Sequence, residues 1–294
     1  MLELTPLNEA GTVDKLYTLN CVYGPELRQQ QINAAVKRKL PFIVPRKEHS
    51  RKIAIVASGP SVTECVDILK DFDGEIWGIN GAFQWMRHRG IKPSGFVGLD
   101  PEELLKDYLV ETPDDATYYL AAQVHSDVFD HLAGKNVRLW FPADGEVKFP
   151  FGAIPIFGGS TCLGRAPNLA YVLGYRDVHI FGGDSSFTDK SHVYGDSGLI
   201  PGGTFPFECN GRLFITTRQM LNQACEFSEQ LVEWARPGSK GETPLNATIY
   251  GDGLMQWMFK QNYDSGTYGQ YIYEAVGGGK NRKERRAMRK NAAA

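Results

Sequence analysis

Lys52-Ile-Ala-Ile-Val-Ala-Ser-Gly-Pro-Ser61 is an apolar strand that runs directly into a tight turn of small residues. Residues 53–57 are an unbroken apolar run of strand length, the pattern of a strand covered on both faces, as in a parallel sheet. Ser58-Gly59 supplies the turn, and Pro60 has its φ preset for the first turn of a helix. Ser61 with Glu64 three residues on reads as a capping box. Val62, Cys65, Val66 and Leu69 then recur at helical spacing as a stripe facing the sheet. Strand, glycine turn and helix start in series leave backbone N–H groups and a positive dipole end at the strand's carboxyl edge, which is a seat for phosphate. The same turn also suits an ordinary α/β connection, in which Ser61 and Glu64 satisfy the donors a phosphate would take. The pattern is neither G-x-x-x-x-G-K-[ST] nor G-x-G-x-x-G, so this stretch alone leaves both readings open.

Further units follow in the same style. Residues 75–80 read as a second strand ending at Asn80, and residues 81–89 as a helix stopped by Gly90 and Pro93. Residues 95–100 form a third strand ending in Asp100, and residues 118–122 and 137–141 two more, separated by a short helix capped by Ser126. From Ile154 the plan repeats: a short strand, then Gly158-Gly159-Ser160-Thr161 entering a helix that reaches Leu173. Pro167 lies inside that helix and either kinks it or marks its start. Residues 178–181 form a strand followed by Gly182-Gly183-Asp184 and a polar loop containing His192. The alternation of strands and helices predicts a Rossmann-like α/β fold, a mostly parallel sheet with helices on both faces. In such sheets ligands bind outside the carboxyl ends of the strands, where Gly59, Asn80, Asp100 and Asp184 would gather. Asp100 and Asp184 are equally suited to capping the segments after them, since aspartate is a preferred turn and cap residue. His192, in a loop, is by default solvated.

Asn210-Gly211 between two strand-like runs predicts a late β-hairpin with a type I′ turn. An amphipathic helix follows over residues 217–235, then a last strand over residues 246–250. The sequence divides into a helical N-terminal extension (residues 1–50), a main domain (51–274) and a flexible basic tail (275–294). In the tail, seven Lys and Arg stand against one Glu after Gly277-Gly278-Gly279, a net +6 that leaves −8 for the rest of a chain whose total is −2. An acidic body argues against non-specific wrapping of nucleic acid. The tail itself suits an acidic partner, reached electrostatically. Five widely spaced cysteines with no C-x-x-C pair indicate neither a disulfide framework nor a zinc site. No apolar run approaches the eighteen or so residues of a membrane span, and the expected location is the cytoplasm. The oligomeric state is not legible.

The first turn, Gly90-Ile-Lys-Pro93 before Val97-Gly-Leu-Asp-Pro101, and Leu173-Gly-Tyr-Arg-Asp-Val-His-Ile-Phe-Gly-Gly-Asp184 with a later His192 resemble the 6-hydroxymethylpterin diphosphokinase MptE-like family. Asn246-Ala-Thr followed by Gly251-Asp-Gly resembles its bacterial members, which include motility-associated glycosyltransferases. The Gly-Pro-Ser turn, Asn80 and Gly159-Ser160 are also similar to the Cst-type bacterial sialyltransferases. The resemblance implies a nucleotide-dependent transferase. Gly59, Pro60, Ser61, Asn80, Asp100, Gly159, Ser160 and Thr161 would bind the nucleotide, and Asp184 and His192 would carry the chemistry. Of the chemistries implied, the first is glycosyl transfer from a CMP-sugar type of donor without metal, to a small-molecule or glycan acceptor. The alternative is pyrophosphoryl transfer from ATP with magnesium to 6-hydroxymethyl-dihydropterin, with Asp100 and Asp184 on the metal. A non-catalytic nucleotide-binding or assembly module is the third. A side chain at Gly59 is expected to block the nucleotide while leaving the fold intact.

Overall fold

The computed structural model describes residues 23–143, 145–188, 203–235, 243–264 and 272–274. The expected basic tail, the Gly277–Gly279 hinge and His192 lie outside the described residues.

The opening run forms strand β1 (Lys52–Val56), and the four residues after Lys52 are fully buried. Its side chains alternate between two apolar clusters: Ile53 and Ile55 join the larger one, Ala54 and Val56 the smaller one on the opposite face. Such alternation in an all-apolar strand is the signature of a sheet covered on both sides. Burying each of the Ile53, Ile55 and Val56 side chains is worth about 1.5–3 kcal/mol. The smaller cluster is closed by Val62, Cys65 and Leu69, the stripe read from the sequence, and by Trp85 and Met86.

The chain begins with α1 (Pro25–Lys37), then β1 and a 3-10 turn (Pro60–Cys65) continuing into α2 (Val66–Lys70). Strand β2 (Glu75–Ile79), α3 (Ala82–Arg87), β3 (Gly95–Gly98), a second 3-10 turn (Glu103–Tyr108), β4 (Thr117–Ala121), α4 (Ser126–His131), β5 (Asn136–Pro142) and β6 (Pro155–Ile156) carry the sheet one way. After α5 (Cys162–Val172) the chain returns to the other side of β1 with β7 (Asp177–Phe181). The hairpin β8 (Thr204–Cys209) and β9 (Arg212–Thr217), α6 (Arg218–Ala235), β10 (Asn246–Tyr250), α7 (Leu254–Asp264) and β11 (Ile272–Glu274) complete it. The nine-stranded sheet runs β11-β10-β7-β1-β2-β3-β4-β5-β6 with every described pairing parallel. The order reverses between β1 and β7. That reversal opens a crevice at the strands' carboxyl ends.

Several local readings need correction. Ser61 caps nothing: Gly59 precedes the 3-10 turn and no side chain caps it, because the Ser61 hydroxyl is drawn elsewhere. His125 rather than Ser126 caps α4, its Nδ1 accepting from the Asp127 N–H. Pro167 sits well inside α5, which starts at Cys162 under the Thr161 hydroxyl. Strand β11 was not anticipated. The Asn210-Gly211 turn has positive φ at both residues (47° and 76°), as a type I′ turn requires.

The N-terminal segment packs on the main sheet. Ile32, Ala35 and Ile43 belong to the larger cluster, and the Ile43 N–H donates to Leu139 O (2.9 Å) beside β5. Buried Arg28 ion-pairs with Glu146.

Candidate active site

Where β1 and β7 lie side by side, their carboxyl ends deliver the two glycine turns next to each other. Val56 pairs with Phe181, so the Ser58-Gly59 and Gly182-Gly183 turns leave the sheet in register. The Gly59 N–H donates to Gly182 O (2.8 Å). A Cβ on Gly59 would collide with that carbonyl and stand 2.7 Å from Asp184 Cγ. Glycine here serves the close approach of two backbones, so a side chain at this position would press on the β7 turn as well as on the cleft.

Asp184 follows directly. Its Oδ2 accepts the Ser61 N–H (2.7 Å), and its Oδ1 accepts the Ser61 hydroxyl (2.5 Å) and Gln256 Nε2 (2.8 Å). The Met255 N–H donates to the Asp184 carbonyl (3.1 Å). Burial pushes the Asp184 carboxyl above its ordinary range, against the lowering effect of the Ser61 and Gln256 hydrogen bonds. One carboxylate thus ties the end of β7 to the turn after β1 and to α7. The Ser61 N–H and hydroxyl, expected to face a phosphate, are engaged by Asp184. Asp100 and Asp184, the pair expected to hold magnesium in the ATP-dependent alternative, line the same cleft. Among the described residues no group of three or more His, Cys, Asp and Glu could hold a metal.

The other turn behaves in parallel. Gly158 and Gly159 adopt φ of 139° and 71°, and a Cβ on Gly158 would meet the backbone of Gly164 and Arg165 in α5. Ser160 then presents its N–H and hydroxyl to Glu226 Oε2 on α6 (2.9 and 2.7 Å). Thr161 accepts from the Gly164 N–H (3.0 Å) and is spent on the helix cap.

Asn80 and Asp100 meet at the ends of β2 and β3. Asn80 holds φ of 48° and its Nδ2 donates to Asp100 Oδ2 (3.0 Å), while its own Oδ1 is buried with no partner among the described residues. Burial raises the Asp100 pKa, offset by the Asn80 hydrogen bond and reinforced by Glu102.

These groups line one cleft of about 290 Å³. Of the sequence-derived residues, Gly59, Asn80, Asp100, Ser160, Thr161 and Asp184 line it, whereas Pro60, Ser61 and Gly159 are not part of its lining. The wall missed by sequence reading is α6, through Gln219, Gln223, Glu226 and Gln230. Their spacing of four, three and four residues was the available signal, since it sets them on one helix face. The cleft's described lining carries three carboxylates and no Lys, Arg or His.

The fold and cleft define an α/β protein with a cleft at the reversal point of a parallel sheet. Residues 29–190 match the model of the 6-hydroxymethylpterin diphosphokinase MptE-like family, and the chain belongs to that family. Among solved structures it is similar to the MAf glycosyltransferase from Magnetospirillum magneticum AMB-1, with a TM-score of 0.61 and 15% identity. The likeness covers 94% of this chain and 42% of that one, so the chain spans under half the length of its structural relative. A comparison with curated protein sequences finds no match. Among the described residues no helix is long and apolar enough to cross a membrane.

Proposed function

We propose that this chain is a transferase that seats a nucleotide sugar of the CMP-sugar type in the cleft at the β1–β7 reversal and passes the sugar to a hydroxyl acceptor. Family membership and the glycosyltransferase fold neighbour both support a transferase. The observation that carries the choice of donor is the charge of the cleft: its described lining holds Asp100, Asp184 and Glu226 and no cation. A nucleoside triphosphate without a metal brings about four negative charges to such a lining, and at close range each like-charge pair costs on the order of 1–4 kcal/mol. A CMP-sugar has a single phosphate and many hydroxyls. Carboxylates and carboxamides accept and donate to hydroxyls without a charge conflict.

In this reading the unpartnered Asn80 Oδ1 accepts from the nucleoside, and Asp100 takes a ribose hydroxyl. Asp184 acts through Ser61, fixing the turn against which the nucleotide lies. The family's name keeps pyrophosphoryl transfer from ATP to a pterin as the second reading. In that reading Asp100 and Asp184, which line the same cleft, would hold its magnesium.

A thermal-shift panel of CMP, a CMP-sugar, UDP-sugar, GDP-sugar and ATP with magnesium tests the proposal. A ligand at 100 times its dissociation constant stabilises the fold by about 2.7 kcal/mol. The expected result is a shift with CMP and a larger one with the CMP-sugar, both unaffected by EDTA. A shift with ATP and magnesium alone would replace this reading by the diphosphokinase one. Silence across the panel would sink both.

A further inference from the structure

Helix α6 has two faces of opposite chemistry. Ala224, Phe227, Leu231 and Trp234 are buried in the larger cluster, while Gln219, Gln223, Glu226 and Gln230 line the cleft. At 100° per residue these four lie within about 60° of arc, along roughly 16 Å of helix. The two farther along are already spent within the protein. Glu226 holds Ser160, and Gln230 Oε1 accepts from Asn168 Nδ2 (3.1 Å). Gln219 is exposed and Gln223 half-buried, and neither carboxamide has a hydrogen-bond partner among the described residues. Helix α6 starts under the Thr217 hydroxyl, which accepts the Met220 N–H (3.2 Å). The neighbouring Thr216 hydroxyl donates to Ser185 O (2.8 Å), so the hairpin and the Asp184 loop fix where this first turn stands.

From this we infer that Gln219 and Gln223 form a carbohydrate subsite facing the strand-end wall, a rung of two neutral carboxamides one helical turn apart that binds paired hydroxyls. Each carboxamide offers donors and an acceptor without charge, which matches the paired donor and acceptor of a vicinal diol and brings no charge to draw a phosphate or an ammonium group. Two hydroxyl-rich ligands enter such a cleft, the sugar of the donor and the acceptor glycan. The inference rests on the nucleotide-sugar reading for its place in the reaction, and its test separates the two.

The full chain and its Gln219→Leu/Gln223→Leu double variant are titrated calorimetrically with CMP and with CMP-N-acetylneuraminic acid. Both are also examined by saturation-transfer NMR with free galactose, N-acetylglucosamine and N-acetylneuraminic acid. Leucine keeps size and helix propensity, and the variant's unchanged circular dichroism and melting temperature certify its fold. If the rung holds the donor sugar, the variant binds CMP as before and loses at least tenfold of the extra affinity for the CMP-sugar. If it holds the acceptor, both nucleotide affinities stay and the saccharide signals vanish. Wild-type behaviour of the variant in every arm, or an equal loss of CMP and CMP-sugar affinity, overturns the inference. Wild-type silence toward both nucleotides sinks the donor reading instead, and the saccharide arm then decides the subsite by itself.

Discussion

One carboxylate oxygen of Glu226 accepts both the N–H and the hydroxyl of Ser160, across 66 residues of sequence. An internal anion therefore occupies the start of α5, the position from which an incoming phosphate would draw its hydrogen bonds. Donor binding at Ser160 requires that carboxylate to withdraw. Glu226→Gln keeps an acceptor oxygen and removes the charge, so CMP should bind up to about fivefold more tightly, the equivalent of ~1 kcal/mol. Isothermal titration at low and high salt reads this, with the gain shrinking as salt rises. Weaker binding in the variant would place the phosphate away from Ser160.

Asp184→Ala should damage the fold before it damages chemistry. It removes the acceptor of three hydrogen bonds, from the Ser61 N–H, the Ser61 hydroxyl and Gln256 Nε2, around a residue that is only 4% exposed. At about 1–3 kcal/mol for each buried group left without a partner, the loss is on the order of 3 kcal/mol. For a chain of this size that lowers the melting temperature by roughly 6–12 °C in calorimetry. A variant that melts like the wild type but does not turn over would restore Asp184 to the catalytic role.

Two aspartates should titrate with opposite signs. Burial raises the folded pKa of Asp100 above its ordinary 3.8, so its contribution to stability is complete below 3.8 and lost as pH rises through the raised folded value. Asp100→Asn should therefore gain on the wild type in melting temperature as pH climbs through that window. Burial works against Asp177 as well, but the hydrogen bond and charge of His179, joined by Lys52, outweigh it and hold the carboxyl below 3.8. Its contribution is present above 3.8 and lost as pH falls through the lowered folded value. The deficit of Asp177→Asn should be full near neutrality and close in acid. Melting curves of both variants from about pH 3 to pH 7 check the pair, and parallel curves would contradict the assignment.

Gly59→Val should lower stability and ligand binding together, because the new side chain enters the gap between the β1 and β7 turns. Limited proteolysis without ligand should cut the variant faster than the wild type. Wild-type resistance combined with lost binding would mean that the turn relaxes outward into the cleft.

Residues 53–57 determined a doubly covered strand by themselves, since an uninterrupted apolar run of that length has no polar face to leave in water. Asn210-Gly211 likewise determined its turn, because both residues tolerate the positive φ that the twist of a hairpin demands. The spacing of Gln219, Gln223, Glu226 and Gln230 was just as visible. Spacing names a face, however, and leaves open whether it meets solvent, a partner or a cleft.

Only the tertiary structure decided the partners. Ser61 and Glu64 satisfy a local rule for a capping box, yet the return of β7 beside β1 brings Asp184 to the Ser61 hydroxyl and amide. A buried carboxylate in need of donors outbids a solvent-side cap. The turns at Gly59 and Gly159 were legible as anion seats, and their occupants were not. Asp184 and Glu226 reach them across 123 and 66 residues. The sequence by itself determined which backbone dihedrals and faces were available, because those depend on neighbours a few residues away. Strand order determined which carboxylate arrived at which turn, because that contact is set by the path of the whole sheet.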